Sequence, residues 1–295
     1  MLRYGGERIF ADELRVTYSP EHNPCREVAD FVVGLGAEPY KGGLPPGVRS
    51  FYMDRGKVDI EERGRFALIA ATGKAIAALD AMNGLGHLVM LLASEPHRVS
   101  RLDVACDIQT DAPRVIRAMH RRYPVEFPMG RKKIGAWTLL KGDRHGQVSG
   151  SWYAGRRGKT RVQPRVYDKA QEMWEEWGEE IPPTVRVEIE CSRHVGATLR
   201  DFLMPESLFW HYASPNILQA PPDVEFWKPG DSTWETKRPP PLPAETVRRR
   251  VEGSAELKAL ASLGASLGPK GHELVRAWVL KAFDSARPSP SVTSH

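Results

Sequence analysis

Residues 101–108 read RLDVACDI, and the way this stretch alternates decides the fold. Side chains on a strand point to opposite faces in turn, so Leu102, Val104, Cys106 and Ile108 share one face while Arg101, Asp103, Ala105 and Asp107 share the other. One face suits a core and the other suits solvent or a polar site, which is the signature of a half-buried strand in an antiparallel sheet. Residues 184–193, TVRVEIECSR, repeat the pattern: Val185, Val187, Ile189 and Cys191 face inward, and Arg186, Glu188 and Glu190 face outward. Residues 164–169, PRVYDK, do so a third time, placing Arg165, Tyr167 and Lys169 together if the whole stretch is extended.

Outward from these three stretches, ADELRVTYSP (11–20) and FALIAATG (66–73) read as strands, and GAWTLLKG (135–142) and SGSWYAGR (149–156) as a strand pair. Apolar residues recur at helical spacing in PCREVADFVVGLG (24–36) and APRVIRAMHRRY (112–123). They do so again in residues 73–96, where Asn83-Gly84 marks a break. The mixture lacks a regular βαβ rhythm. It predicts an α+β class with a largely antiparallel central sheet flanked by helices, a Pro-rich segment and a helical C-terminal tail.

The chain has 295 residues, 41% of them hydrophobic, enough for a substantial core, and a formal charge of +5 that permits a nucleic-acid partner without demanding one. Its three cysteines are scattered and form no CxxC pair, which supports neither a disulfide framework nor a zinc site. No signal peptide or membrane-length apolar run is visible, so the expectation is a cytoplasmic protein with no membrane partner. The organisation read from composition is a main domain over 1–220 and a Pro- and Trp-rich connecting segment over 221–243. A helical region over 244–285 and a disordered tail over 286–295 complete it.

Asp103 and Asp107 lie four residues apart on one strand face, about 13 to 14 Å along a straight strand, so they cannot share one ion without a bend. If the strands carrying Asp103 and Glu188/Glu190 are neighbours, their polar faces merge into a carboxylate cluster, and such hard oxygen donors suit Mg²⁺ or Mn²⁺. Tyr167 sits between Arg165 and Lys169. A free tyrosine is ionised in only about one molecule in a thousand at neutral pH, so a phenolate nucleophile costs roughly 4 kcal/mol that cations or a metal must offset. Packing in a strand is the competing role for Tyr167. Upstream, Lys141, Arg144, Arg156, Arg157, Lys159 and Arg161 form a basic, Gly-rich hairpin with Trp152 and Tyr153 interleaved. That combination suits a phosphate backbone with bases stacked on aromatic rings.

Three segments in order, RLDVACD, SWYAGRRGKTRVQPRVYDKAQE and VRVEIE, resemble the trans-acting replication initiator family, which includes rolling-circle initiators of plasmids and filamentous phages. The resemblance covers about residues 10–220, and the hairpin departs from the family's usual Gly-Ser-Arg by reading AGRRGKT. It implies a relaxase-like or rolling-circle initiator-like fold and a tyrosine nucleophile, Tyr167, that nicks an origin strand to leave a 5′-phosphotyrosine and a free 3′-OH. Arg165 and Lys169 would hold the phosphate, and Mg²⁺ or Mn²⁺ would be bound by carboxylates drawn from Asp103, Glu190, Glu188, Asp107 and Glu172. None of the nine histidines forms the His-hydrophobe-His pair of other nickases. Implied partners are origin DNA, single-stranded or cruciform, a second copy of the chain and a host helicase. The alternatives are a non-catalytic DNA-binding regulator of the same fold and a relaxase starting transfer of an integrative element.

Overall fold

The amphipathic stretch at 101–108 is the middle of a longer strand, β6 (His97–Gln109), and β6 is the middle strand of an eleven-stranded sheet. On one side lie β1 (Ile9–Tyr18), β5 (Phe66–Thr72), β4 (Gly56–Arg63), β3 (Val48–Met53) and β2 (Glu38–Pro39). On the other lie β11 (Thr184–Ser192), β10 (Val162–Asp168), β9 (Val148–Ala154), β8 (Lys132–Gly142) and β7 (Glu126–Met129). Every neighbouring pair is antiparallel, so the α+β expectation with a largely antiparallel sheet is met. This computed structural model describes residues 9–129, 132–142, 148–156 and 160–213. The Pro- and Trp-rich segment, the helical region at 244–285, the tail, and Arg144, Arg157 and Lys159 lie outside the described residues.

The helices are α1 (Cys25–Gly34), α2 (Gly73–Ala81), α3 (Leu85–Ala93), α4 (Ala112–Arg122), α5 (Lys169–Trp177), α6 (Leu199–Leu203) and α7 (Glu206–Ala213). Leu102, Val104, Cys106 and Ile108 of β6 and Val185, Val187, Ile189 and Cys191 of β11 join one continuous core with Val28, Leu79, Leu88, Ile116, Phe202 and Phe209 from six of these helices. The buried residues of α5, Gln171 and Met173, are outside that core. Residues 38–63, assigned to no element by periodicity, form β2, β3 and β4, with β3 and β4 joined by the two-residue turn Asp54-Arg55 and Asp54 at φ 53°. No single helix among the described residues is long and apolar enough to cross a membrane, and α2 and α3 meet at 115°.

The break expected at Asn83-Gly84 is the α2 terminus. Asn83 takes φ 55°, its N–H donates to the Asp80 carbonyl at 3.0 Å, and the Gly84 N–H donates to the Leu79 carbonyl at 2.8 Å. This pair of bonds closes the helix end on a left-handed residue, a conformation that Asn, with its short polar side chain, takes more readily than most residues bearing a Cβ. Asn83→Ala is therefore expected to lower unfolding free energy by about 1 kcal/mol in urea titration, and Asn83→Gly to leave it within a few tenths.

Two expectations change at this level. Trp152 faces the core and is wholly buried, 5.2 Å from the Phe127 ring, with its indole N–H donating to the Tyr123 carbonyl at 3.3 Å. It offers no face to a nucleobase, because consecutive strand residues point to opposite sides and Tyr153 has the outer one. The strand through Tyr167 also ends one residue sooner than PRVYDK suggests. Asp168 caps α5, its carboxylate accepting the Gln171 N–H at 2.9 Å, so Lys169 begins a helix.

Candidate active site

The outward face of the central strands is a lattice of acids and arginines whose order follows from register. Residues directly opposite in adjacent strands share a face, and Glu13 of β1 stands opposite Asp103 of β6, which stands opposite Glu190 of β11. Three carboxylates side by side repel, and Arg101 reaches all three. The Nη2 atom of Arg101 lies 3.0 Å from Glu13 Oε2 and 3.0 Å from Glu190 Oε2 and donates to Asp103 Oδ2, while its Nε donates to Asp103 Oδ1 at 2.9 Å. The Arg101–Asp103 ion pair is buried, with the Asp103 side chain only 1% exposed.

Four residues further along, Asp107 stands opposite Arg186, and Arg186 opposite Tyr167. Arg186 grips Asp107 with two bonds, at 2.6 and 2.7 Å, and reaches Asp12 Oδ1 at 2.8 Å. Asp12 and Glu13 both point outward although they are consecutive. The register of β1 slips between Ala11 and Glu13, a bulge whose extra residue lets two adjacent side chains face one way. The core phase switches accordingly from Ile9 and Ala11 to Leu14, Val16 and Tyr18.

Between these rows Glu188 stands opposite Ala105 on one side and Arg165 on the other. One oxygen of this fully buried carboxylate accepts from Arg165, and the other accepts the Tyr167 hydroxyl at 3.3 Å. The Arg165 guanidinium also lies 5.5 Å from the Tyr167 ring centroid. Lys169 pairs with Glu172 at the start of α5. The strands thus bring together Tyr167, Arg165, Glu188, Glu190 and Asp103. Asp107 is taken up by Arg186, and Glu172 by Lys169.

Burial pushes the Tyr167 phenol well above its ordinary value; Arg186 opposes this, and Glu188 and Asp12 add to it. The cations expected to lower it, Arg165 and Lys169, are neutralised by Glu188 and Glu172. Burial also raises the Asp103 carboxyl well above the usual range, with Arg101 opposing and Glu188 reinforcing. The Glu188 carboxyl rises through burial and the nearby Asp12 charge, against Arg165. Burial acts on Asp12 in the same sense, and the charges of Arg186, Lys169 and Arg165 overcome it, holding that carboxyl below its usual value. The arginines therefore leave the acids incompletely compensated.

The donor chemistry fits a hard divalent cation: carboxylates without histidine or cysteine. Three of them converge on one point, and Arg101 Nη2 is at that point. Among the described residues no group of three or more His, Cys, Asp or Glu is set as an open metal site. The Arg101 guanidinium takes the focus of Glu13, Asp103 and Glu190.

Of the basic hairpin, Lys141 is exposed and pairs with Glu175, Arg156 is exposed, and Arg161 donates to the His194 carbonyl. Sequence reasoning left out Asp12, Glu13 and Trp137 as site residues. Two acids in succession within an otherwise alternating strand were the available signal for the first two.

No protein-family model matches the chain, and no curated protein matches it. Among solved structures it is similar to the rolling circle replication initiator protein from Geobacillus stearothermophilus, with a TM-score of 0.49 and 16% identity. That similarity covers 73% of this chain and 92% of the other.

Proposed function

We propose that this chain is a site-specific DNA nickase and strand transferase that initiates rolling-circle replication through Tyr167. The observation that carries the reading is the position of Tyr167: its hydroxyl donates to the buried Glu188, Arg186 stands opposite it, and Arg165 lies beside its ring. Any buried tyrosine needs a partner for its hydroxyl, and here Arg186 and Arg165 add beside it the positive charge that a phosphate would meet. The sequence motifs that carry the family resemblance, RxYDK and RVExE, supply these same side chains.

In the reaction the Tyr167 oxygen forms a bond to phosphorus and the bond from phosphorus to the 3′-oxygen breaks. The phenol proton passes to Glu188 Oε2, and the departing 3′-oxygen takes a proton to become the free 3′-OH. Arg165 and Lys169 face the phosphate charge, exchanging their present carboxylate partners for it. Asp103 and Glu190 would hold Mg²⁺ or Mn²⁺, which supplies charge stabilisation at the phosphate. Reversal rejoins the strand without ATP because the bond energy is kept in the phosphotyrosine. The resemblance extends the proposal to a homodimer and a recruited host helicase.

The test is incubation of the chain with a labelled single strand carrying its own element's origin, with Mn²⁺ or Mg²⁺. A covalent adduct that resists denaturing electrophoresis is expected. DNA retardation without any adduct under either metal favours a DNA-binding regulator of the same fold.

A further inference from the structure

The face that holds Tyr167 continues across β9 and β8. Trp137 of β8 stands opposite Tyr153 of β9, Tyr153 opposite Arg165 of β10, and Arg165 opposite Glu188. The Trp137 and Tyr153 rings are stacked, 4.1 Å between centroids and 13° from parallel. Arg165 comes next, close to the Tyr167 ring. Three flat groups on three adjacent strands therefore run from the sheet margin to the hydroxyl that meets Glu188. In the next row Leu139 stands opposite Ser151, and Ser151 opposite Tyr167. Trp137 stays 45% exposed although Tyr153 covers one side of it, and Leu139 is 55% exposed. Tyr153 is partly exposed as well.

We infer that Trp137 and Tyr153 form a stacking ledge for unpaired nucleobases on the path to Tyr167. The inference rests on the DNA-nicking reading for the identity of the strand, and on the aromatic pair for the contact. Unpaired bases are the occupant the surroundings favour. A base within a duplex has both faces covered by its neighbours, whereas an unpaired base offers a π-face to an indole or a phenol whatever its sequence. The ledge ends on Arg165, a cation suited to the phosphate that follows, and exposed Arg156 sits two residues beyond Ala154 on the same β9 chain. An apolar peptide would find no use for a guanidinium at the inner end of the ledge. Across two strand spacings, roughly 10 Å, the ledge would hold the bases nearest the reacting phosphate and leave the chemistry to Tyr167.

The test measures binding of a fluorescein-labelled oligothymidylate of about 15 nucleotides, and of a labelled duplex of the same length, to the full chain and two variants. Trp137→Ala is expected to weaken single-strand binding by about tenfold or more, to leave duplex binding within about twofold, and to keep the wild-type thermal transition. Trp137→Phe, which keeps a π-face, is expected to recover most of the loss. Equal single-strand affinity in wild type and Trp137→Ala overturns the ledge, as does a loss that is the same for duplex, or one that Phe does not relieve. A change in sedimenting mass with unchanged DNA binding overturns it too, by showing that the pair seats a second copy of the chain. Adduct formation with the origin strand is read separately. An adduct without a Trp137 effect removes the ledge alone, and a Trp137 effect without an adduct removes the nicking reaction alone.

Discussion

Tyr167→Phe abolishes the covalent protein–DNA adduct while leaving retardation of the same single strand within about twofold of wild type. The substitution removes one oxygen, the proposed nucleophile. The ring keeps its place beside Arg165 and opposite Arg186, so the cations proposed to face the phosphate are left undisturbed. Stability changes little, since the lost hydrogen bond to Glu188 is long at 3.3 Å and nets about 1 kcal/mol. Urea titration checks that the variant is folded, and denaturing electrophoresis reads the adduct. An adduct that persists in the variant would assign the nucleophile to another residue. Loss of both adduct and retardation, with the fold intact, would make Tyr167 a binding residue.

Arg101→Met destabilises the fold by about 3 to 5 kcal/mol. Arg101 is the common partner of Glu13, Asp103 and Glu190, and its removal takes away the cation that these three acids share. Its own side chain is only 9% exposed, so water does not replace it easily. Met is chosen because it keeps most of the volume of the stem. If the proposed Mg²⁺ or Mn²⁺ binds at the focus of these three oxygens, Mn²⁺ recovers part of the loss in Arg101→Met and shifts the wild type less. Thermal denaturation with and without Mn²⁺ reads both effects. A variant as stable as wild type would mean that the three acids are relieved by protonation, in keeping with the raised Asp103 carboxyl.

The two predictions concern different parts of one surface. Tyr167 and its row perform the proposed reaction, whereas Arg101 holds an acid-rich row together. Both depend on the outward face of the central strands being sheltered. Only 8% of Tyr167 is exposed, so a phosphate reaches the hydroxyl only when the ion pairs around it rearrange. Arg165 and Lys169 are suited to that exchange because each is held by one principal carboxylate partner on the site face, Glu188 and Glu172 respectively.

Alternation along RLDVACDI, TVRVEIEC and PRVY was enough by itself to determine the α+β class, the two-sided character of the strands and the membership of Asp103, Glu188, Glu190 and Tyr167 in a polar face. A strand's facing has a period of two residues, which is local and readable. The C-terminal stop of α2 at Asn83-Gly84 was local too. Which strands are neighbours was not, because pairing joins residues far apart in the chain. Only the tertiary structure put β11 beside β6 and so set Glu190 against Asp103. The same holds for the bulge at Asp12, where one extra residue turned two successive acids outward, and for β2 to β4, whose mixed polarity gave no period to follow. Trp152 and Trp137 show the limit most directly. Composition marks both as aromatic residues near a basic hairpin, yet the core took Trp152 and the sheet face kept Trp137, since only packing on a particular side decides which tryptophan meets solvent.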